Sequence, residues 1–201
     1  MDYTIEKELF ERGYQAICGI DEAGRGPLCG PVVAAACILP VGLTIDGLND
    51  SKKLTEKKRE ALFDVITENA LAYSIAQATV EEINETNILE ATLLAMRRAV
   101  EGLPIVPDYL LIDGNVCRGF SIPGRAVIKG DATSPNIAAA SILAKVTRDR
   151  LCIELDRQYP EYGIAKHKGY GTAAHYKALE EHGVPPIYRT KFLRSFYDKK
   201  S

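Results

Sequence analysis

The sequence contains no C-x-x-C pair, no apolar run long enough to cross a bilayer, no internal repeat, no low-complexity tract and little net charge. Each absence removes a class of protein. The five cysteines, Cys18, Cys29, Cys37, Cys117 and Cys152, form an odd set. Three sit among small apolar residues, the setting of buried free thiols, so a zinc site or a disulfide framework fits poorly and a reducing cytoplasm fits best. The longest apolar stretch, around Val32 to Ala36, is bounded by Pro31 and Pro40, far short of the roughly 20 residues a membrane helix needs. Met1-Asp2-Tyr3-Thr4 carries neither a basic nor an apolar leader region, so no secretory signal is expected. A net charge of −2 means that the molecule as a whole does not attract nucleic acid electrostatically.

What is present suits one globular unit. The chain has 201 residues, 46% of them hydrophobic, enough for one large domain or a domain with a small appendage. Charge is unevenly spread: from Tyr162 to Tyr197 the only acids are Glu180 and Glu181, against Lys166, Lys168, Lys177, Arg189, Lys191 and Arg194. Such a stretch is either a phosphate-binding surface or a solvated face with few acids.

Residues 15–21 and 30–39 read as strands joined by a short loop, an antiparallel pair, and 71–80 as a third strand. Thr55 is placed to cap a helix running to about Glu68. Asn87, with Glu90 three residues later, has the form of a capping box opening a helix through Val100. Residues 109–112 form a short strand ending in Asp113-Gly114, and 125–129 form another. Ser134-Pro135 starts a helix to about Gln158; 162–170 reads as a loop and 172–182 as a short helix. The pattern implies an α/β fold, a mixed sheet covered by helices on both faces, with residues 1–160 as the core and 161–201 as a small helical appendage of the same domain.

The most informative run is Gly19-Ile20-Asp21-Glu22-Ala23-Gly24-Arg25-Gly26-Pro27. It puts two adjacent acids where a strand ends, and burying them is costly unless a cation compensates. Asp113 also ends a strand, and Asp131 precedes a helix start. For Asp113 alone a turn role is the simpler reading. Together, acids at one sheet edge with no histidine or cysteine among them favour a hard cation such as Mg²⁺ or Mn²⁺. His167 and His175 stand among lysines and glycines and read as structural or phosphate-facing.

Six blocks closely resemble ribonuclease HII, the bacterial type 2 ribonuclease H: Asp21 to Pro27, Leu48 to Leu54, Leu111 to Gly114, Lys129 to Asp131, Ala138 to Asp149, and Lys166 to Thr172. They occur in order over about residues 15–190. The resemblance implies a ribonuclease H-like fold with a mixed five-stranded sheet. It implies an endonuclease that hydrolyses the RNA strand of RNA/DNA hybrids and cuts 5′ of single ribonucleotides in duplex DNA, leaving 5′-phosphate and 3′-hydroxyl ends. Carried over by position, Asp21, Glu22, Asp113 and Asp131 are the catalytic and metal-binding acids. They would hold two Mn²⁺ or Mg²⁺ ions about 3.5–4 Å apart, with Asp21 as the bridge. Gly24, Arg25 and Gly26 form the loop that reads the ribonucleotide, and Tyr170 senses the RNA-to-DNA junction. Lys52 and Lys53 precede a helix start and are assigned to phosphate contact. The protein is expected to act as a monomer. Where the family usually has a histidine-arginine pair and a serine before phenylalanine, this chain has Tyr188-Arg189-Thr190-Lys191-Phe192. The competing readings are a related nuclease that needs no ribose, such as a junction resolvase, and a non-catalytic nucleic-acid-binding module.

Overall fold

The computed structural model describes residues 3–198. Met1 and Asp2, and residues 199–201 of the expected appendage, lie outside the described residues. Five strands, β1 (Ile17–Ala23), β2 (Val32–Ile38), β3 (Ala72–Ala78), β4 (Tyr109–Asp113) and β5 (Gly124–Val127), form one sheet in the order β3-β2-β1-β4-β5. β1, β2 and β3 pair antiparallel, while β4 runs parallel to both β1 and β5. This is the expected mixed five-stranded sheet. The helices are α1 (Thr4–Glu11), α2 (Glu56–Asn69), α3 (Val80–Glu85), α4 (Ile88–Glu101), α5 (Pro135–Gln158), the single turn α6 (Ile164–His167), α7 (Ala173–His182) and α8 (Arg194–Asp198).

β2 explains why both faces are covered. All seven of its residues are buried, so it reads as a continuous apolar run without alternation. Val32, Ala34, Ala36 and Ile38 pack with Leu93, Met96 and Val100 of α4 on one face. Val33, Ala35 and Cys37 pack with Ala139, Ile142 and Leu143 of α5, and with Leu62 and Ile66 of α2, on the other. α5 lies unusually close to β1. A Cβ on Gly19 would stand 2.1 Å from the Asn136 carbonyl carbon, so only glycine fits there. The Asn136 side chain then ties β1 to the residue that follows β2, donating to Ile17 O at 2.9 Å and accepting from Leu39 N at 3.0 Å. Ser134 caps this helix as expected, accepting from Ile137 N.

Some boundaries differ from the sequence reading. β1 continues to Ala23 because Glu22 and Ala23 still pair with Ala34 and Val33. β3 stops at Ala78, since Thr79 caps α3 in a full capping box with Glu82. At α4, Asn87 accepts from Leu89 N and Glu90 N as expected, but the Glu90 carboxylate turns to Arg118. α1, α3 and α6 were not anticipated.

From Tyr162 onward, Tyr162, Ile164, Leu179, Tyr188 and Leu193 share an apolar cluster with Leu28, Cys29 and Cys152. The C-terminal segment is thereby fastened to the loop after β1 and to α5. Backbone bonds from Gly30 N to Ile187 O and from Arg189 N to Leu28 O reinforce the contact. Among the described residues no helix is long and apolar enough to cross a membrane.

Candidate active site

The parallel pairing of β1 and β4 brings Asp21, Glu22 and Asp113 to one edge of the sheet. Asp131 arrives from the 3-10 turn Gly130–Ala132 that follows β5. Asp113 Oδ1 draws that turn in by accepting Gly130 N at 2.7 Å and Asp131 N at 3.3 Å. One carboxylate oxygen each from Asp21, Asp113 and Asp131 then lies within 4.8 Å of the others. Asp21 is 4% exposed. Its Oδ1 accepts Glu22 N at 2.7 Å, and the Ser141 hydroxyl, 2.8 Å from Ser51 Oγ, lies beside its carboxylate. Glu22 stands beside this triad with Oε1 3.3 Å from the Arg25 guanidinium. Lys52 Nζ lies 3.4 Å from Asp131 Oδ2.

Burial pushes the Asp21 carboxyl well above the usual range, and the neighbouring Glu22 and Asp113 add to this against the Ser141 hydroxyl. Burial also raises Asp131, helped by Asp113 and opposed by Lys52. Glu22 is raised by burial against the pull of Arg25. Converging carboxylates that raise one another are relieved when a cation sits between them. The donors are all oxygens, which fits Mg²⁺ or Mn²⁺ and not Zn²⁺.

A cleft of about 240 Å³ opens over Asp21, Glu22 and Asp113, with Arg25, Lys52 and Tyr170 in its wall. Gly24 has φ +96°, and a Cβ there would lie 1.9 Å from Arg148 Nε. Both facts demand glycine. The Tyr170 ring lies over Gly26, 3.2 Å from where a Cβ would be, and is 51% exposed. Leu28 N donates to Gly169 O at 2.8 Å, tying the two loops together. Lys53 is exposed and does not line the cleft. A separate hollow of about 290 Å³, walled by Val100, Leu103, Val106 and Phe120, shares no residue with it.

Three cleft residues, Ser141, Lys145 and Arg148, had been given no role in the sequence reading. Their spacing of four and three residues on one helix was the available signal. Lys145 Nζ is held 2.6 Å from Asp149, which also takes Arg59 at 3.5 Å. Of the basic stretch at the C-terminus, read as either a phosphate-binding surface or a solvated face, several cations have partners within the protein. Arg189 is buried, Lys177 pairs with Glu181 and Lys191 donates to the Thr86 carbonyl.

A family model described as ribonuclease HII matches residues 18–198. The chain belongs to the ribonuclease HII family. Ribonuclease HII of Desulfitobacterium hafniense (strain DSM 10664 / DCB-2) is 60% identical over 187 residues, covering 93% of this chain and 72% of that protein. Ribonuclease HII of Azoarcus sp. (strain BH72) is 58% identical over 176 residues, covering 88% and 86%. Among solved structures, ribonuclease H2 from Pyrococcus horikoshii OT3 superposes with a TM-score of 0.77 at 31% identity, covering 92% of this chain and 98% of the other. Membership of this family makes the chain a ribonuclease H, an endoribonuclease acting on RNA/DNA hybrids, with a ribonuclease H-like fold.

Two histidines hold the Tyr170 loop. His167 Nδ1 accepts Gly169 N at 3.2 Å while its Nε2 donates to Tyr162 O at 2.9 Å. His175 Nδ1 donates to Tyr170 O at 2.8 Å, which leaves Nε2 to accept the Tyr188 hydroxyl at 2.7 Å. The two rings stack with centroids 4.0 Å apart. Of the two roles considered, the structural one is what these bonds describe. Burial pulls the His175 imidazole down to about 4, with His167 adding to the effect against the Tyr170 carbonyl. A folded-state value below the unfolded one means that the unfolded chain binds the proton first. Stability is therefore full above about pH 6.5 and falls as pH drops towards 4, by about 2 kcal/mol after allowance for residual screening. Chemical denaturation from pH 7 to 4.5 is expected to show this slope, and His175→Gln to flatten it. An equal slope in both proteins would contradict the assignment.

Proposed function

We propose that this enzyme hydrolyses the RNA strand of RNA/DNA hybrids and also cuts on the 5′ side of single ribonucleotides in duplex DNA, leaving 5′-phosphate and 3′-hydroxyl ends. The observation that carries this reading is the convergence of Asp21, Asp113 and Asp131 within 4.8 Å beside the Gly24-Arg25-Gly26 loop and Tyr170. Asp21, Glu22, Asp113 and Asp131 would hold Mn²⁺ or Mg²⁺, two ions during catalysis. Bound there, such cations lower the pKa of water and neutralise charge on the scissile phosphate.

The chain's own residues supply position and charge. Ser141 and the Glu22 N–H orient the Asp21 carboxylate, and the Gly130 and Asp131 amides orient Asp113. Lys52 offsets negative charge beside Asp131 and, with Arg25, supplies cations at the cleft for substrate phosphates. Telling RNA from DNA reduces to detecting a 2′-hydroxyl, which both donates and accepts. A loop without β-carbons at Gly24 and Gly26 lets backbone groups approach the sugar. The Tyr170 ring, exposed over Gly26, offers a stacking face to the deoxyribose at a junction.

The test is cleavage mapping on three duplexes: a hybrid, a DNA duplex with one ribonucleotide, and all-DNA. Each is incubated with Mn²⁺, Mg²⁺ or EDTA. Cuts are expected in the first two only, with a divalent ion, and on the 5′ side of the ribonucleotide. An all-DNA duplex cut equally fast would favour a ribose-independent nuclease and defeat the 2′-hydroxyl reading.

A further inference from the structure

Arg189 is the largest fully buried side chain among the described residues, at 0% exposure, and no described carboxylate forms an ion pair with it. Instead all of its donors go to backbone carbonyls of one loop. Nε donates to Gly30 O at 3.0 Å. One terminal nitrogen donates to Arg25 O at 3.0 Å and Pro27 O at 2.9 Å, the other to Gly24 O at 2.7 Å and Pro31 O at 3.2 Å. Five carbonyl dipoles pointing at one spot repel one another unless a cation sits there. Only the planar guanidinium fork offers five donors in fixed directions.

The consequence lies on the other side of the loop. The described peptide bonds are all trans, so a carbonyl turned inward leaves the next residue's N–H turned outward. With the carbonyls of Gly24 and Arg25 held by Arg189, the N–H groups of Arg25 and Gly26 point away from the guanidinium. Neither donates to another described residue. Both residues line the cleft beside Asp21 and Glu22. Arg148, itself buried and donating to Lys168 O and Cys29 O, adds a second cation beneath the same loop.

We propose that Arg189 is a positioning residue for substrate recognition: it presets the Arg25 and Gly26 amides as donors to the sugar-phosphate backbone at the ribonucleotide. This rests on reading the Gly24-Arg25-Gly26 loop as the ribonucleotide sensor. It also gives the Tyr188-Arg189 segment a task inside the protein, away from direct phosphate contact.

Arg189→Lys keeps the charge but not the fork. With Mn²⁺ present, the variant is expected to raise KM on the single-ribonucleotide duplex at least fivefold. Its binding preference for that duplex over all-DNA should fall at least fivefold, with Mn²⁺ affinity within twofold of wild type. A purely structural role predicts the opposite pattern: a smaller folded fraction, with KM and preference unchanged in the molecules that fold. That result would overturn the proposal. If Arg189→Lys does not fold, Asn84→Ala decides. Half-buried Asn84 accepts Thr190 N at 3.0 Å and anchors this segment from outside. A twofold or larger loss of preference in Asn84→Ala supports the proposal, and unchanged preference refutes it. Wild-type enzyme that fails to distinguish the two duplexes would instead refute the underlying reading of the loop, so the two failures are separable.

Discussion

Asp21→Asn is expected to reduce cleavage by about 10³-fold or more with either Mn²⁺ or Mg²⁺, equivalent to about 4 kcal/mol of barrier, while binding to a hybrid survives. Asparagine keeps the shape of the side chain and its ability to accept from Glu22 N. It removes one of the triad's two buried carboxylates, the more deeply buried of the pair. The same substitution should stabilise the metal-free protein. In wild type the Asp21 charge is opposed first by burial, then by Glu22 and Asp113, so deleting it relieves a cost of about 1–2 kcal/mol. A ligand that binds only the folded state raises the melting temperature with concentration. Mn²⁺ should therefore raise the midpoint of wild type clearly and that of Asp21→Asn much less. Cleavage at wild-type rate, or an equal Mn²⁺ shift in both proteins, would remove Asp21 from the centre of the site.

Gly19→Ala is expected to be the most damaging single methyl group in the sheet. Its Cβ would meet the backbone of Asn136 and Ile137 at 2.1–2.4 Å, and neither can swing aside as a side chain tip could. α5 must lift off β1, which also breaks the Asn136 bridge to Ile17 and Leu39. The cost is about 3 kcal/mol or more, a fall of roughly 6–12 °C in melting temperature for a chain of this size. Because Ser141 rides on the same helix beneath Asp21, activity should fall in the molecules that remain folded. A midpoint within 2 °C of wild type, about what 1 kcal/mol produces, would show that the helix accommodates the change.

Much of this architecture is legible locally. The continuous apolar run of β2 signals a strand buried on both faces. Ser134-Pro135 announces the helix that spans the sheet, and Thr55, Asn87 and Thr172 cap helices where their side chains can reach free amides. Thr79 misled because a β-branched residue at a strand end is also a good cap, and only the returning Glu82 carboxylate decides between the two. The stripe of Ser141, Lys145 and Arg148 was within reach of helical periodicity. Arg189 was not. In sequence it is one cation among several in a basic stretch, and its burial depends on carbonyls more than 150 residues away.

The amino-acid sequence by itself determined which groups are available: oxygen donors without thiol or imidazole partners, glycines where the chain must turn tightly, and an apolar pattern that demands a two-sided sheet. Folding decided which of those groups meet. Asp21, Asp113 and Asp131 converge because β1 lies parallel to β4 and because Asp113 captures the amides of the 130–131 turn. Arg189 reaches the loop because a separate apolar cluster docks the C-terminal segment there. Local patterns report the conformation of a few neighbouring residues. Distances between groups some 20 to 160 residues apart are set by strand register and packing, which only the assembled structure specifies.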